Sequence, residues 1–233
     1  LQGTIINMAQ DFVGSNNINL LDPIGQFGTR IMGGKDSAQP RYIHTKLRTI
    51  TNLMFNKLDN PIYNYNQDDG ENIEPIYYTP VLPLILINGS SGIGTGWSTD
   101  IPNFDPKDIL INIRNNLNGK EYNSMKPYYS NFKGTINKNN EHSYMSKGIY
   151  EISGNKLIIK ELPVGMWTDN YKNFLESITI DNKTGDSKKH IIRYYDSYST
   201  DVDVHFEIYL NMNHSELIDL NCFDDKLNMT KLE

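Results

Sequence analysis

Cysteine is almost absent from this chain, which holds Cys222 alone among its 233 residues. One thiol cannot form a disulfide within the chain or build a thiolate zinc site, so we expect a reducing compartment. Long apolar runs are missing as well, because the longest one, at residues 81–87, is short and is interrupted by Pro83. A helix needs roughly 20 apolar residues to cross a bilayer, so we expect no membrane partner, and we also expect no signal peptide.

Positive charge is also scarce, since the formal net charge at pH 7 is −6. Such a balance is unfavourable for a protein that binds nucleic acid through bulk electrostatics. The charge is unevenly distributed, however, because residues 1–60 carry a local charge of +2 and the remainder carries −8. Within this basic region, Arg30 and Lys35 lie in a glycine-rich run and are candidates for phosphate contacts, whereas Lys46 and Lys57 are typical of a solvated surface.

An arginine and a tyrosine, Arg41 and Tyr42, stand side by side at the end of that glycine-rich run. The phenol of a tyrosine can attack a DNA phosphate to form a phosphotyrosine, and a neighbouring guanidinium can hold a phosphate oxygen as negative charge develops. Most Arg-Tyr pairs are surface or packing residues, so the dipeptide alone is a weak signal. His44 is not a candidate base for Tyr42, because side chains two residues apart on a helix point in different directions.

Proline and glycine divide the chain into two units, residues 1–100 and 101–233, with a boundary in the segment 102–106. Apolar spacing predicts helices, and segments rich in strand formers predict strands, so the expected fold class is α+β. The second predicted helix follows Pro40 and would place Tyr42 in its first turn, where free backbone N–H groups favour an anion. The predicted helices span residues 4–13, 41–55 and 107–117, and the predicted strands span residues 148–153, 156–159 and 202–210.

A second glycine-rich segment, residues 89–96, looks like a phosphate-binding loop but lacks the Lys-Ser/Thr pair, and Trp97 occupies the place of the last glycine in a dinucleotide motif. Tight glycine turns would instead present Ile93 at the tip of a loop, where an apolar side chain can enter a base step and kink DNA. A lone isoleucine is more often a core residue, and the residues alone leave both interpretations open. Asp201 and Asp203 precede an alternating strand and can both face solvent, so we do not assign them to a metal site.

Several longer motifs run along the chain. Up to residue 104 they are NNINLL at residues 16–21, PIGQFGTR at 23–30, GGKDSAQPRY at 33–42, EP at 74–75, ING at 87–89, GIGTGW at 92–97 and IPNF at 101–104. Further on they are NFKGTI at residues 131–136, ELPV at 161–164 and WT at 167–168. The motifs around Tyr42 closely resemble the active-site region of eukaryotic type IIA DNA topoisomerases, and the later motifs resemble other parts of the same family. The resemblance weakens beyond about residue 179, and Gly165 and Met166 depart from the arginine and small polar residue that are usual in the family.

The resemblance implies a fold and a set of residue roles. Residues 1–100 would be the C-terminal part of a winged-helix domain, and residues 101–233 would be part of a mixed α/β tower domain. Tyr42 would attack one DNA strand to form a 5′-phosphotyrosine, and Arg41 would stabilise the transition state. Ile93 would insert between base pairs, and Trp167 would contact DNA from the tower.

The same resemblance implies the partners of the intact enzyme. It would be an ATP-dependent, nuclear homodimer that cleaves both strands of double-stranded DNA, passes a second duplex through the break and religates. Mg²⁺, ATP and the general base would be bound or supplied by regions outside this chain, which would hold no metal and would be inactive alone. One alternative is a non-catalytic DNA-bending module, which would form no covalent adduct. Another is a tyrosine recombinase or type IB enzyme, which would form a 3′ linkage and use dispersed Arg and His residues that the sequence does not supply.

Overall fold

The computed structural model describes residues 1–141, 143–179, 192–211, 227 and 229–232, and Cys222 lies outside them. Helices and strands both occur along the chain, which confirms the α+β class, whereas the winged-helix and tower assignments stay predictions. No helix among the described residues has the length and apolar character that crossing a bilayer requires. The helices are α1 (Gln2–Ala9), α2 (Thr49–Met54), α3 (Leu84–Ile87), α4 (Pro106–Leu117) and α5 (Thr168–Ile178), with 3₁₀ segments at Pro40–Tyr42 and Lys57–Ile62.

The strands form four antiparallel sheets in the described part of the chain. Two of them are hairpins of the first unit, β1 with β2 and β3 with β4, and the other two are larger sheets of the second unit, with the orders β7-β8-β10-β9 and β11-β6-β5. The strands are β1 (Tyr65–Asp68), β2 (Glu71–Pro75), β3 (Ser90–Ile93), β4 (Ser98–Ile101), β5 (Thr135–Lys138), β6 (Tyr144–Lys147), β7 (Ile149–Ser153), β8 (Lys156–Glu161), β9 (Ile192–Ser197), β10 (Phe206–Leu210) and β11 (Thr230–Leu232).

Helix α4 confirms the helix predicted at residues 107–117 and starts as its sequence dictates. The Asp105 carboxylate accepts a hydrogen bond from the Lys107 backbone N–H (2.8 Å), and a proline occupies the first helical turn, where it loses no helical hydrogen bond. The helix buries Ile109 in one cluster with Met54 and Ile87 of the first unit. Helix α4 thus packs into the core of the first unit, although it follows the predicted boundary at residue 100. That boundary stays a prediction.

The main core lies in the second unit, between the four-stranded sheet and α5. Every second residue of β10 from Phe206 to Leu210 is buried, so one face of the sheet is apolar, and α5 covers it with Tyr171 and Leu175. The strands predicted at residues 148–153 and 156–159 are confirmed as β7 and β8. The strand predicted at residues 202–210 begins only at Phe206, because the Thr200 hydroxyl accepts hydrogen bonds from two following backbone N–H groups and closes a turn there.

The helix predicted at residues 41–55 is wrong in its first half. Only Pro40–Tyr42 forms a single 3₁₀ turn, Ile43 is extended, and helical structure resumes at Thr49 in α2. The backbone of His44 instead exchanges two hydrogen bonds with Ile24 (3.0 and 3.1 Å), so tertiary pairing overrides the helical spacing of the side chains. Tyr42 therefore does not lie at the N-terminus of an α-helix, and the expected dipole stabilisation of a phosphotyrosine is withdrawn.

The two units are joined by a buried ion pair. The Arg30 guanidinium donates to the Glu161 carboxylate and to the Leu162 carbonyl oxygen (3.2 Å), and the side chains of Arg30 and Glu161 are 4% and 2% exposed. The carboxylate also accepts hydrogen bonds from the backbone N–H groups of Lys133 (3.1 Å) and Leu162 (2.9 Å). Because a buried charge without a partner is costly, each member of the pair depends on the other.

Replacing Glu161 by glutamine should lower the free energy of unfolding by about 3–5 kcal/mol, because the Arg30 charge stays buried without its counter-ion. Glu151→Gln is the matched control, since Glu151 pairs with Lys160 (2.6 Å) on the exposed surface, where an ion pair contributes about 0–1 kcal/mol. Chemical denaturation of the isolated chain measures both values. Equal stability losses in the two variants would contradict the importance of the buried pair.

Candidate nucleophile and nucleic-acid interface

The Arg41–Tyr42 pair lies on an exposed turn. Its one 3₁₀ turn is closed by a hydrogen bond from the Tyr42 backbone N–H to the Gln39 carbonyl oxygen (2.9 Å), and Pro40 fixes the backbone at its start. The Tyr42 side chain is 67% exposed, and the Arg41 guanidinium carbon lies 4.8 Å from the centre of the Tyr42 ring. The phenol and the guanidinium are therefore adjacent and open to a large substrate.

Residues 22–26, which precede the glycine-rich loop of residues 27–36, hold both ends of this turn by backbone hydrogen bonds. On the C-terminal side, Ile24 pairs with His44, and the Asp22 backbone N–H donates to the Lys46 carbonyl oxygen (2.9 Å). On the N-terminal side, the Ala38 backbone N–H donates to the Gln26 carbonyl oxygen (2.9 Å). The turn that carries Tyr42 is thus closed across residues 22–26, which limits how far it can move relative to them.

The glycine-rich loop, residues 27–36, is packed against itself. The Asp36 carboxylate accepts hydrogen bonds from the Thr29 backbone N–H (2.8 Å) and from the Thr29 hydroxyl. Gly28 has a φ of +100°, and a Cβ atom there would lie 2.6 Å from the backbone of Gly34. These two glycines are required for close packing of the loop.

A buried glutamine that the sequence analysis missed completes this loop. The Gln10 side-chain amide donates to the carbonyl oxygens of Phe27 (2.9 Å) and Gly34 (3.3 Å). The sequence placed Gln10 inside a helix at residues 4–13, but α1 ends at Ala9 and Gln10 is extended. Nothing in the sequence around Gln10 indicated its distant partners.

The predicted phosphate contacts at Arg30 and Lys35 have different outcomes. Arg30 cannot make the predicted phosphate contact, because its guanidinium is buried against Glu161 and is not accessible to a phosphate. Lys35 lies on the same loop and is exposed, so its predicted contact stays a prediction.

Ile93 lies near the tip of the hairpin formed by β3 and β4. Its side chain is 95% exposed, so Ile93 is not a core residue, and Trp97 beside it is 86% exposed. The Gly94 backbone N–H donates to the Trp97 carbonyl oxygen (2.8 Å) and closes the tip. The base is anchored, because the Asn88 side chain exchanges two hydrogen bonds with the Ile18 backbone (2.9 and 2.8 Å). The hairpin therefore presents an apolar side chain on a fixed base.

Trp167 is half-buried, and its ring packs against residues of the first unit. Its ring lies against Gly14 and Gly33 and meets the Phe12 ring edge-on at 5.8 Å. The predicted DNA contact by Trp167 stays a prediction.

Among the described residues, no group of three or more His, Cys, Asp or Glu side chains is placed to hold a metal ion. Asp201 and Asp203 are both exposed, as expected. A hydrogen bond from Lys133 (2.7 Å) lowers the pKa of Asp203, so this carboxylate is engaged in a surface ion pair.

Comparison with known proteins identifies the family. A family model for the A-type subunits of DNA gyrase and topoisomerase IV matches residues 1–232. DNA topoisomerase 2 of Drosophila melanogaster is 50% identical over 210 residues, which are 89% of this chain and 14% of that protein. The chain belongs to the DNA topoisomerase 2 family. DNA topoisomerase 2-beta of Homo sapiens is 47% identical over 210 residues, which are 89% of this chain and 13% of that protein.

A solved member of the family has the same fold. The crystal structure of the Plasmodium falciparum topoisomerase II DNA-binding, cleavage and re-ligation domain superposes with a TM-score of 0.90 at 43% identity, and the match covers 98% of this chain and 31% of that one. A relative named "DNA topoisomerase 2, mitochondrial", from Dictyostelium discoideum, is 42% identical over 100% of this chain and 19% of its own length. The chain thus spans less than a fifth of each of these three full-length relatives.

Gly28→Ala should destabilise the fold by at least about 1–3 kcal/mol, because the new Cβ meets the backbone of Gly34 and the positive φ is strained for alanine. Gly3→Ala is the matched control. Gly3 lies in α1, a Cβ there meets no described atom within 4 Å, and alanine should add about 0.5–1 kcal/mol. Thermal unfolding of both variants tests the difference. Opposite signs are expected, and a neutral Gly28→Ala would contradict the close packing of the loop.

Proposed function

We propose that this chain is the tyrosine-bearing part of an ATP-dependent type IIA DNA topoisomerase, which cleaves both strands of one duplex, passes a second duplex through the break and religates. The observation that carries the proposal is the exposed Tyr42 phenol with the Arg41 guanidinium against its ring, in a chain that belongs to this family. The name of the Plasmodium structure, a DNA-binding, cleavage and re-ligation domain, supports the same role.

In the proposed reaction, the Tyr42 phenolic oxygen attacks a backbone phosphorus. A Tyr42 Oη–P bond forms and the P–O3′ bond breaks, its electron pair leaving on O3′, which takes up a proton from solvent, so the product is a 5′-phosphotyrosine and a free 3′ hydroxyl. The phenol proton passes to a base outside this chain, since a phenol of pKa about 10 is mostly protonated at neutral pH. The energy of the broken bond is conserved in the phosphotyrosine, so religation needs no separate activation.

Arg41 is the proposed transition-state stabiliser. A guanidinium presents two parallel donors that can hold a phosphate oxygen pair as charge develops on the pentacoordinate phosphorus. Its position over the Tyr42 ring keeps both groups at one face of the turn. When Mg²⁺ is bound by other regions of the enzyme, it supplies further stabilisation of the phosphate charge. ATP is likewise proposed to bind outside this chain.

The exposed hairpin is the proposed DNA-bending element. Ile93 would enter a base step and unstack it, at a cost of a few kcal/mol that the wider contact with bent DNA offsets. Lys35 is the proposed phosphate contact near the turn.

The intact enzyme is proposed to be a homodimer, because cleavage of both strands needs one tyrosine for each strand. We propose a nuclear location, where the duplex substrate is concentrated. One relative carries "mitochondrial" in its name, so imaging of the tagged full-length protein is the appropriate measurement.

Tyr42→Phe in the intact enzyme should abolish covalent attachment to DNA and leave DNA affinity within a few-fold, because only the hydroxyl is lost. Denaturing gel analysis of end-labelled duplex measures both the adduct and its 5′ linkage. Tyr122→Phe is the matched control, since Tyr122 is 68% exposed against 67% for Tyr42. It should cleave like the parent enzyme.

The same gel separates the alternative functions. A 5′ adduct retained in Tyr42→Phe would exclude Tyr42 as the nucleophile. A 3′ linkage on the gel would identify a type IB or recombinase mechanism. The absence of any adduct in the parent enzyme, with a bent duplex in a fluorescence-transfer measurement, would identify an architectural module.

Ile93→Ala should reduce the DNA bend angle and the cleavage rate of the intact enzyme while changing DNA affinity less, because phosphate contacts supply much of the affinity. Fluorescence transfer across an end-labelled duplex measures the bend. Leu117→Ala, at another exposed apolar side chain, is the control. Since Ile93 is exposed, its truncation should change stability by no more than about 0.5 kcal/mol, so an unchanged bend would directly contradict the wedge.

A further inference from the structure

The glycine-rich loop that precedes Tyr42 is held from the second unit at two places. The first anchor is the ion pair of Arg30 with Glu161, whose carboxylate is fixed in direction by two backbone N–H donors. The second anchor is adjacent in sequence, because the Asp169 backbone N–H at the start of α5 donates to the Ile31 carbonyl oxygen (3.0 Å). Consecutive residues of the loop are therefore bonded to β8 and to α5.

Trp167 reinforces the second anchor. A Cβ atom on Gly33 would overlap the Trp167 ring, so the indole is in direct contact with the loop backbone. Gly33 has a φ of +62°, which favours glycine, and the ring also touches the segment at Gly14. The Trp167 ring, packed on the backbone of Gly33, fixes the distance between the loop and the second unit, since packed interiors leave little room for displacement.

The opposite side of the loop leads directly to the turn that carries Tyr42. Gln10 holds the loop at Phe27 and Gly34, Asp36 bridges to Thr29, and residues 22–26 then hold both ends of the turn. Each link is a hydrogen bond to a fixed backbone atom. A displacement at the anchors would therefore move the turn itself.

We propose that Trp167 and Glu161 are positioning residues for the Tyr42 nucleophile, and that they act through the glycine-rich loop. The inference rests on the proposed function, because it assigns these residues to the same cleavage reaction. A duplex that contacts both units then moves the second unit, the loop and Tyr42 as one body. Misplacing a reacting group by about 1 Å can cost about 100-fold in rate, so the anchors control cleavage without touching DNA.

This role differs measurably from a direct DNA contact by Trp167. Loss of a DNA-contacting indole weakens binding, whereas loss of a positioning indole lowers the cleavage rate of DNA that is already bound. It also differs from a purely structural role, because a structural defect reduces the fraction of folded enzyme and leaves the rate constant of each folded molecule unchanged.

The test uses the intact topoisomerase that carries this chain, with Trp167→Ala, Trp167→Phe, Glu161→Gln and the surface control Glu151→Gln. Single-turnover trapping on a nicked duplex gives the rate constant and the amplitude of covalent adduct, and titration of the duplex gives its Kd. Trp167→Ala and Glu161→Gln should lower the rate constant by about 100-fold with Kd within a few-fold of the parent. Trp167→Phe, which keeps a ring on Gly33, should recover most of the rate, and Glu151→Gln should match the parent.

Three results would overturn the inference. A higher Kd with an unchanged rate at saturating duplex would assign Trp167 to DNA contact. A lower amplitude with an unchanged rate constant would assign both residues to folding alone, and a parental rate in Trp167→Ala would remove its role. Tyr42→Phe, measured in parallel, keeps the proposals distinct, because an adduct in that variant contradicts the proposed nucleophile whatever Trp167 does.

Discussion

The buried ion pair of Arg30 with Glu161 is the interaction on which the arrangement of the site depends. A guanidinium and a carboxylate that are almost fully removed from water are tolerated only when each satisfies the other, and here the backbone N–H groups of Lys133 and Leu162 complete the carboxylate's partners. The pair joins residues 131 positions apart in the chain. It therefore fixes the glycine-rich loop relative to the sheet of the second unit before any contact with a substrate is made.

Glycine makes this junction possible, because the contacts on both sides of the loop are closer than a side chain allows. Gly28 lies against the backbone of Gly34, and Gly33 lies against the Trp167 ring. These glycines thus serve packing within the protein. Arg30 also serves packing within the protein. Its place in a glycine-rich run predicted a phosphate contact, but in the structure its guanidinium pairs with the Glu161 carboxylate.

Local features of the sequence predicted local structure well, and long-range contacts account for the failures. The apolar spacing and the Asp105–Pro106 start identified α4, and alternation identified β7 and β8. The helix expected from Arg41 onward failed because His44 and Leu47 pair with Ile24 and Leu21, a contact that periodicity cannot reveal. The position of Tyr42 on an exposed turn was likewise beyond local propensity, although the motif that contains it was sufficient to indicate the family.

The side chains with chemistry suited to DNA are exposed, whereas the contacts that hold their segments in place lie beneath them. The groups with chemistry suited to DNA, the Tyr42 phenol, the Arg41 guanidinium and the Ile93 side chain, are exposed on short turns with few contacts of their own. Short exposed turns are poorly fixed unless their ends are held, because an isolated turn cannot offset the entropy of ordering it. Here the turn at Tyr42 is closed across residues 22–26, and the hairpin of Ile93 is anchored by Asn88. The positions of these exposed side chains therefore depend on the polar contacts that hold the ends of their turns.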